Sequence, residues 1–146
     1  TGADLLVKTV EAMAAGDYPL QDQVGLLAGR EPKHAPKIFK EDMKVDWTLG
    51  VDTIFNHIRG LSPFPTAWTE FRNKKNGEVV SLKIFETERI VKDHGKDVGL
   101  STDNKTYLDV LVEGGVIRIK ELQLSGKKRM KTEEFLRGFH IEDYSL

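Results

Sequence analysis

A short basic loop is the first part of this sequence whose residue types predict a chemistry. The segment Gly126-Lys127-Lys128-Arg129-Met130-Lys131 follows a predicted strand and precedes a predicted helix. Closely spaced cations on an exposed loop can contact successive phosphates of a nucleic acid, and counterion release makes such binding strong, weakly sequence-specific and salt-dependent. No aromatic residue alternates with these cations, which favours contact with the phosphate backbone over base stacking. The alternative is a solvated turn whose lysines only promote solubility.

Further basic residues cluster elsewhere, although the net charge of the whole chain is −1. Residues 118–131 carry six basic residues against Glu121 alone, and residues 33–44 carry four lysines against two carboxylates. Such local clustering permits a nucleic-acid interface without requiring one. The candidate phosphate contacts are Lys33, Lys37, Lys40, Lys44, Arg118, Lys120, Lys127, Lys128, Arg129 and Lys131.

The sequence contains no pattern typical of a catalytic or metal site. There is no cysteine and no glycine-rich phosphate-binding motif, and Ser62 and Ser101 lack the surroundings of a nucleophile elbow. Adjacent carboxylates on a chain point apart, so pairs such as Glu133 and Glu134 are interpreted as solvated or as favouring a helix dipole. None of the histidines has metal-ligand spacing: His34, His57, His94 and His140. We therefore predict no catalytic residue and no metal ligand here.

The composition predicts a globular domain that positions the basic loop. The 146 residues, 39% hydrophobic and 31% charged, suffice for one domain with a core, or one domain plus an appended fragment. No apolar run approaches the roughly 20 residues needed to cross a bilayer, so we predict no membrane partner. The lack of cysteine and of a signal peptide is compatible with the cytoplasm. A first residue of Thr, already within a helical pattern, suggests a piece of a longer protein.

A predicted helix and the prolines behind it divide the chain. Apolar residues at helical spacing predict a helix over residues 49–59, and an earlier one over residues 3–15. We expect Gly60 to end the second helix in the left-handed conformation, and Pro63 and Pro65 to prevent its continuation.

Beyond the prolines the pattern changes to the period of two that is typical of strands. Turn signals at Asn76-Gly77 and Gly114-Gly115 predict hairpins, and Thr132 is expected to be the N-cap of a short helix. The predicted strands are residues 66–72, 78–90, 98–101, 107–112 and 116–124. The fold class is therefore mainly β, a small OB-like antiparallel barrel with a helix before it and a short helix after it, although a β-sandwich remains open.

Six residues are expected to have structural roles. Asp46 and Arg59 each stand among apolar neighbours, so we predict a partly buried ion pair that closes the segment before the helix onto it. Trp47 is predicted to be costly to leave in water. The full set is Asp46, Trp47, Arg59, Gly60, Pro63 and Pro65.

Several motifs, taken in order, resemble the methionyl-tRNA formyltransferase family. They are Ala35-Pro36-Lys37-Ile38 with Glu41-Asp42, Val45-Asp46-Trp47, Ile58-Arg59-Gly60-Leu61 with Pro63 and Pro65, and Leu122-Gln123-Leu124 with Gly126-Lys127-Lys128-Arg129-Met130. The resemblance covers nearly the whole chain. It implies that residues 1–16 are the last helix of an absent catalytic domain, 17–48 an interdomain linker, and 49–146 an OB-like C-terminal tRNA-binding domain. The sequence departs from the family's usual Pro-Gly at Val98-Gly99, and from its usual turn at Glu113-Gly114-Gly115.

The resemblance also implies a function. Enzymes of this family transfer a formyl group from 10-formyltetrahydrofolate to the methionine amino group of initiator methionyl-tRNA, in the cytoplasm, for translation initiation. Their catalytic and folate-binding residues lie in the N-terminal domain, so this chain is expected to hold no cofactor and to be inactive alone. Its implied partners are that domain and the phosphate backbone of the tRNA. The alternative is a structural or oligomerisation domain of a sugar-nucleotide formyltransferase or of formyltetrahydrofolate dehydrogenase; the basic loop favours the tRNA enzyme.

Overall fold

The computed structural model describes all 146 residues, which divide into two compact units, Thr1–Lys37 and Ile38–Leu146. The first unit contains helices α1 (Gly2–Ala15) and α2 (Gln23–Leu27). Helix α1 ends at Gly16, whose φ of 73° lies in the left-handed region, and none of its residues is buried. No helix in the chain combines the length and the apolar composition that spanning a membrane requires.

The second unit begins with segment 38–50 and helix α3 (Val51–Leu61). The apolar stripe predicted for this helix faces the core, since Val51, Ile54 and Ile58 are all buried. Gly60, however, lies inside the helix, so the prediction of a left-handed stop at this position was wrong. A residue before proline is disfavoured in the helical conformation, and Ser62 before Pro63 is extended. The proline therefore ends the helix, and the glycine does not.

Replacing Gly60 with Ala is expected to raise the free energy of unfolding by about 0.5–1 kcal/mol, because Ala loses less backbone entropy in a helix. A Cβ added at Gly60 meets no atom within 4 Å. Urea denaturation followed by circular dichroism measures the change. The matched control is Gly77→Ala, equally open but with φ 75°, which should lose about 1 kcal/mol. A loss at Gly60 similar to that at Gly77 would contradict the helical assignment.

Seven strands follow α3 and form one mainly antiparallel sheet that curls into a nearly closed barrel, as the fold-class prediction required. The bounds are β1 Ala67–Asn73, β2 Val79–Val91, β3 Gly99–Thr102, β4 Leu108–Val112, β5 Gly115–Leu124, β6 Met130–Lys131 and β7 Tyr144–Ser145. Their order in the sheet is β3-β4-β5-β2-β1-β7, with β6 pairing on β5. The five longer strands match the predicted ones closely; the two-residue strands β6 and β7 were not predicted.

The core lies between the inner face of the barrel and α3. Side chains that alternate along each strand fill it, among them Phe71, Leu82 and Ile117, all essentially fully buried. Trp47 is buried as well, and its Nε1 donates to Thr69 Oγ1 at 2.8 Å. This one bond satisfies the buried polar atom of the indole and fixes segment 38–50 to β1.

The segment between α3 and β1 contains Pro63 and Pro65, the two prolines that were predicted to prevent continuation of the helix. The peptide bonds before Pro63 and Pro65 are cis. Thr66 is buried, its backbone N donates to Leu61 O at 2.9 Å, and its Oγ1 donates to Pro63 O at 2.5 Å. The two hydrogen bonds of Thr66 hold the chain in a tight connection between the end of α3 and the start of β1.

Helix α4 (Thr132–Leu136) follows β6 and corrects the predicted cap. Lys131 is the N-cap residue and Thr132 the first helical residue, so Thr132 does not cap the helix. Its hydroxyl is buried and donates to Ile119 O at 2.6 Å, which is why it cannot serve the helix backbone. Thr132 therefore ties the end of the basic loop to β5.

The predicted ion pair between Asp46 and Arg59 does not form, and both residues are exposed. Asp46 Oδ1 instead accepts from Thr48 N at 3.0 Å and Thr48 Oγ1 at 2.6 Å, and these bonds lower the pKa of Asp46. Arg59 Nε donates to Asn56 Oδ1 at 2.8 Å, and its guanidinium lies over the Phe55 ring. Each group is satisfied by a partner within four residues, so no charge is buried and no long-range pair is needed.

Candidate nucleic-acid interface

The basic loop connects β5 to β6 and is held in a fixed turn. Lys127 N donates to Leu124 O at 2.9 Å, and Gly126 adopts the positive φ of 76° that this turn requires. Gln123 Nε2 donates to Lys127 O at 2.7 Å. The loop then folds back so that β6 pairs with β5. The side chains of residues 127–129 are therefore presented to solvent from an ordered backbone.

Two of the loop cations contact the protein's own carboxylates. Arg129 donates to Glu121, and its guanidinium lies 4.2 Å from the centroid of the Phe85 ring. The hydrogen bond from Arg129 lowers the pKa of Glu121 and raises that of Arg129 itself. Lys128 Nζ lies 3.3 Å from Glu134 Oε1. Both cations are exposed to solvent, which weakens such pairs, so a phosphate can compete for the cation.

The two predicted cations of β5 differ in how firmly they are paired. Arg118 makes a bidentate contact with Asp109, with Nε to Oδ1 at 2.8 Å and Nη2 to Oδ2 at 2.9 Å, and Asp109 is only 7% exposed. These hydrogen bonds raise the pKa of Arg118. Lys120 lies at the looser distance of 3.9 Å from Glu88. Arg118 is thus committed to a structural pair, whereas Lys120 remains exposed.

One open cavity of about 300 Å³ collects three of the predicted cations. Arg118, Lys120 and Lys131 line it, but so do Glu86, Glu121 and Glu133. The electrostatic potential inside this cavity therefore has contributions of both signs, and an anion is bound less favourably here than the number of cations suggests.

The lysines of segment 38–50 gather around one indole. Lys40 Nζ and Lys44 Nζ lie 5.5 and 5.0 Å from the centroid of the Trp68 ring, and Trp68 Nε1 donates to Lys40 O at 2.9 Å. Lys44 also pairs with Glu70 at 2.6 Å. The structure therefore brings together two predicted cations with an aromatic residue that the sequence had not singled out. Lys33 and Lys37 belong to the first unit.

Sequence reasoning also missed Lys83. Lys83 and Ser81 alternate with Leu82 and Ile84, which predicts that they share the face opposite the apolar one, but a single lysine in a strand carries no clustering signal. The register pairs Lys83 with Trp68 on one side and Gln123 on the other, and Lys83 is exposed and forms no ion pair. Only the strand pairing reveals its place beside the predicted cations.

Comparison with known proteins identifies the family to which the chain is similar. Residues 37–140 match the family described as formyl transferase, C-terminal domain. The chain is 43% identical over 143 residues to the methionyl-tRNA formyltransferase of Bacteroides fragilis, covering 97% of this chain and 44% of that protein. The corresponding values are 44% identity, 97% and 44% for Phocaeicola vulgatus, and 40% identity, 99% and 45% for Parabacteroides distasonis.

The chain therefore spans less than half the length of these curated relatives. Within that span the match is nearly complete, and the family match covers most of the barrel unit. The chain belongs to the formyl transferase C-terminal domain family.

Proposed function

We propose that this chain is the C-terminal tRNA-binding part of a methionyl-tRNA formyltransferase. Such an enzyme transfers a formyl group from 10-formyltetrahydrofolate to the methionine amino group of initiator methionyl-tRNA. The name of the relatives supports this proposal over an oligomerisation domain of another folate-dependent enzyme. The observation that carries it is the ordered loop after β5, whose turn is fixed by Lys127 and Gln123 while its side chains stay exposed.

The proposed division of labour places the reaction on a preceding domain of the cytoplasmic enzyme. Residues 1–16 would be the last helix of that domain, residues 17–48 the linker, and residues 49–146 an OB-type barrel. The two cavities beside the predicted cations are open and lined largely by charged or polar side chains, unlike the enclosed, mostly apolar site that a flat pterin ring favours. The residues that line these two cavities do not fit a folate, and the chain alone is proposed to hold no cofactor and to be inactive.

The proposed contact is electrostatic and directed at phosphates. Lys127 and Lys128 would make the main phosphate contacts, and Lys131 would extend the basic surface. Arg129 would exchange its bond to Glu121 for one to a phosphate oxygen. Lys40, Lys44 and Lys120 would add charge around this centre, whereas Arg118 would support the barrel through Asp109. Lys33 and Lys37 would supply further phosphate contacts from the first unit. Such a surface holds the tRNA without reading its sequence, and leaves recognition of the reacting end to the catalytic domain.

The loop is tested by changing Lys127, Lys128 and Arg129 together to Ala. Binding of initiator methionyl-tRNA to the 146-residue chain is followed by fluorescence anisotropy over a salt series. We expect the slope of log K against log salt to become shallower by about two to three, because three phosphate contacts are lost and each contributes roughly 0.7–0.9 to the slope.

The matched control removes three exposed lysines that form no ion pairs and lie outside the loop: Lys92, Lys96 and Lys105. This variant loses the same charge and should keep a steeper slope than the loop variant. If the loop variant retains the wild-type slope, the loop does not contact phosphates.

A further inference from the structure

We propose that Lys83 forms a separate phosphate subsite on the outer face of the barrel, and that the RNA backbone passes over it between the Trp68 lysines and the basic loop. This inference rests on the proposed function and deepens it. Its starting point is the register: Trp68 on β1, Lys83 on β2 and Gln123 on β5 occupy one row across three neighbouring strands.

A cavity of about 230 Å³ lies at this row and has the donors that a phosphate needs. Its lining residues include one basic, two hydroxyl and one amide side chain and no carboxylate: Lys83, Ser81, Ser125 and Gln123, together with Leu124 and Gly126. The larger cavity, with three glutamates among its lining, differs in this respect. An anion that enters the smaller cavity therefore meets donors and a positive charge without a competing negative one.

The subsite continues at both ends into cations already described. At the β1 end, Lys40 and Lys44 lie over the Trp68 ring. At the β5 end, Gln123 holds the carbonyl of Lys127, so the loop begins where the row stops. Neighbouring strands lie about 4.8 Å apart, so the row spans about 10 Å, a distance that a few linked phosphates can follow.

The chemistry of this row favours phosphodiester groups over bases. The ammonium groups of Lys40 and Lys44 lie close to the Trp68 ring, so a base would have to compete with two cations to stack on this indole. Apart from Leu124 and Gly126, the remaining lining residues carry short hydroxyls and an amide, which bond oxygen atoms, and none of the lining residues is aromatic. The partner is therefore the backbone of an RNA strand.

The test is Lys83→Ala in the 146-residue chain, titrated with initiator methionyl-tRNA over a salt series. Loss of one phosphate contact should weaken binding about fivefold to tenfold near 0.1 M salt and make the salt slope shallower by about one. Lys83→Arg keeps the charge and should retain most of the affinity. Lys83 is exposed, so an unchanged thermal unfolding curve is expected for both variants.

The matched control is Lys92→Ala, which removes an equally exposed lysine just beyond the far end of β2. Its slope should equal that of the wild type. A wild-type slope for Lys83→Ala, combined with a shallower slope for the loop variant, would overturn the subsite and leave the proposed function standing. If the wild-type chain fails to bind the tRNA, the proposed function is wrong and the subsite falls with it.

Discussion

Replacing Gly115 with Ala is expected to lower the free energy of unfolding by about 3 kcal/mol, at the upper end of what adding one methyl group to a packed site usually costs. Gly115 is the first residue of β5 and is buried opposite Val91 of β2. A Cβ at this position would stand 2.4 Å from Ile90 O and 3.1 Å from Val51 Cγ2. The first of these atoms is backbone, so a rotamer change cannot relieve the contact.

The expected consequence is that β2 and β5 separate at this end of the barrel. The same end anchors α3, because Val51 N donates to Glu113 O at 2.9 Å. It also holds His94, whose Nε2 lies 3.0 Å from Gly115 O. Separation of β2 and β5 therefore also disturbs the start of α3 and the loop that contains His94.

Urea denaturation of Gly115→Ala measures this loss. Gly138→Ala is the matched control, because a Cβ there meets no atom within 4 Å and its φ is not positive. We expect the control to change stability by less than about 0.5 kcal/mol. Equal stability of the two variants would contradict the prediction, because it would show that β2 and β5 accommodate the added methyl group without loss of stability.

The difference between Gly114 and Gly115 shows how far the sequence predicts the fold. The Gly-Gly pair predicted a hairpin, and a hairpin is present, because turn residues and the period-two strands on both sides are local signals. That Gly114 supplies a φ of 75° while Gly115 supplies space beside Ile90 depends on the neighbouring strand and on α3. The predicted pair between Asp46 and Arg59 required tertiary geometry in the same way, and it was wrong.

Short elements were missed for a related reason. Strands β6 and β7 contain two residues each, too few to show a period. At Gly60 two local signals competed, and the restriction that Pro63 imposes on the residue before it outweighed the preference of glycine for a left-handed stop.

The basic residues of the candidate site could be predicted from the sequence, but the carboxylates that pair with them could not. The basic loop stood out because its cations are consecutive, and Lys83 did not because it is a single lysine in an alternating strand. The carboxylates that contact the cations lie on other elements, Asp109 on β4 and Glu134 on α4. The sequence counts these charges but cannot pair them, so it predicted Arg118 and Lys127 as equivalent phosphate contacts.

Replacing Arg118 with Ala is expected to destabilise the barrel by about 2 kcal/mol and to leave the salt slope of tRNA binding unchanged. Asp109 is 7% exposed and would lose both bonds of its bidentate partner. Removing one member of a fully buried pair costs about 3–5 kcal/mol; the Arg118 side chain is 33% exposed, so water reaches this pair and reduces the loss.

Lys120→Ala is the matched control on the same strand, since Lys120 is exposed and lies 3.9 Å from Glu88. It should cost less than about 0.5 kcal/mol. The double variant Asp109→Asn/Arg118→Ala should be more stable than Arg118→Ala, because it removes the unpaired buried charge. Thermal and urea unfolding measure stability, and anisotropy over a salt series measures binding. A shallower slope for Arg118→Ala with unchanged stability would show that Arg118 contacts the RNA and that its bond to Asp109 contributes little to the fold.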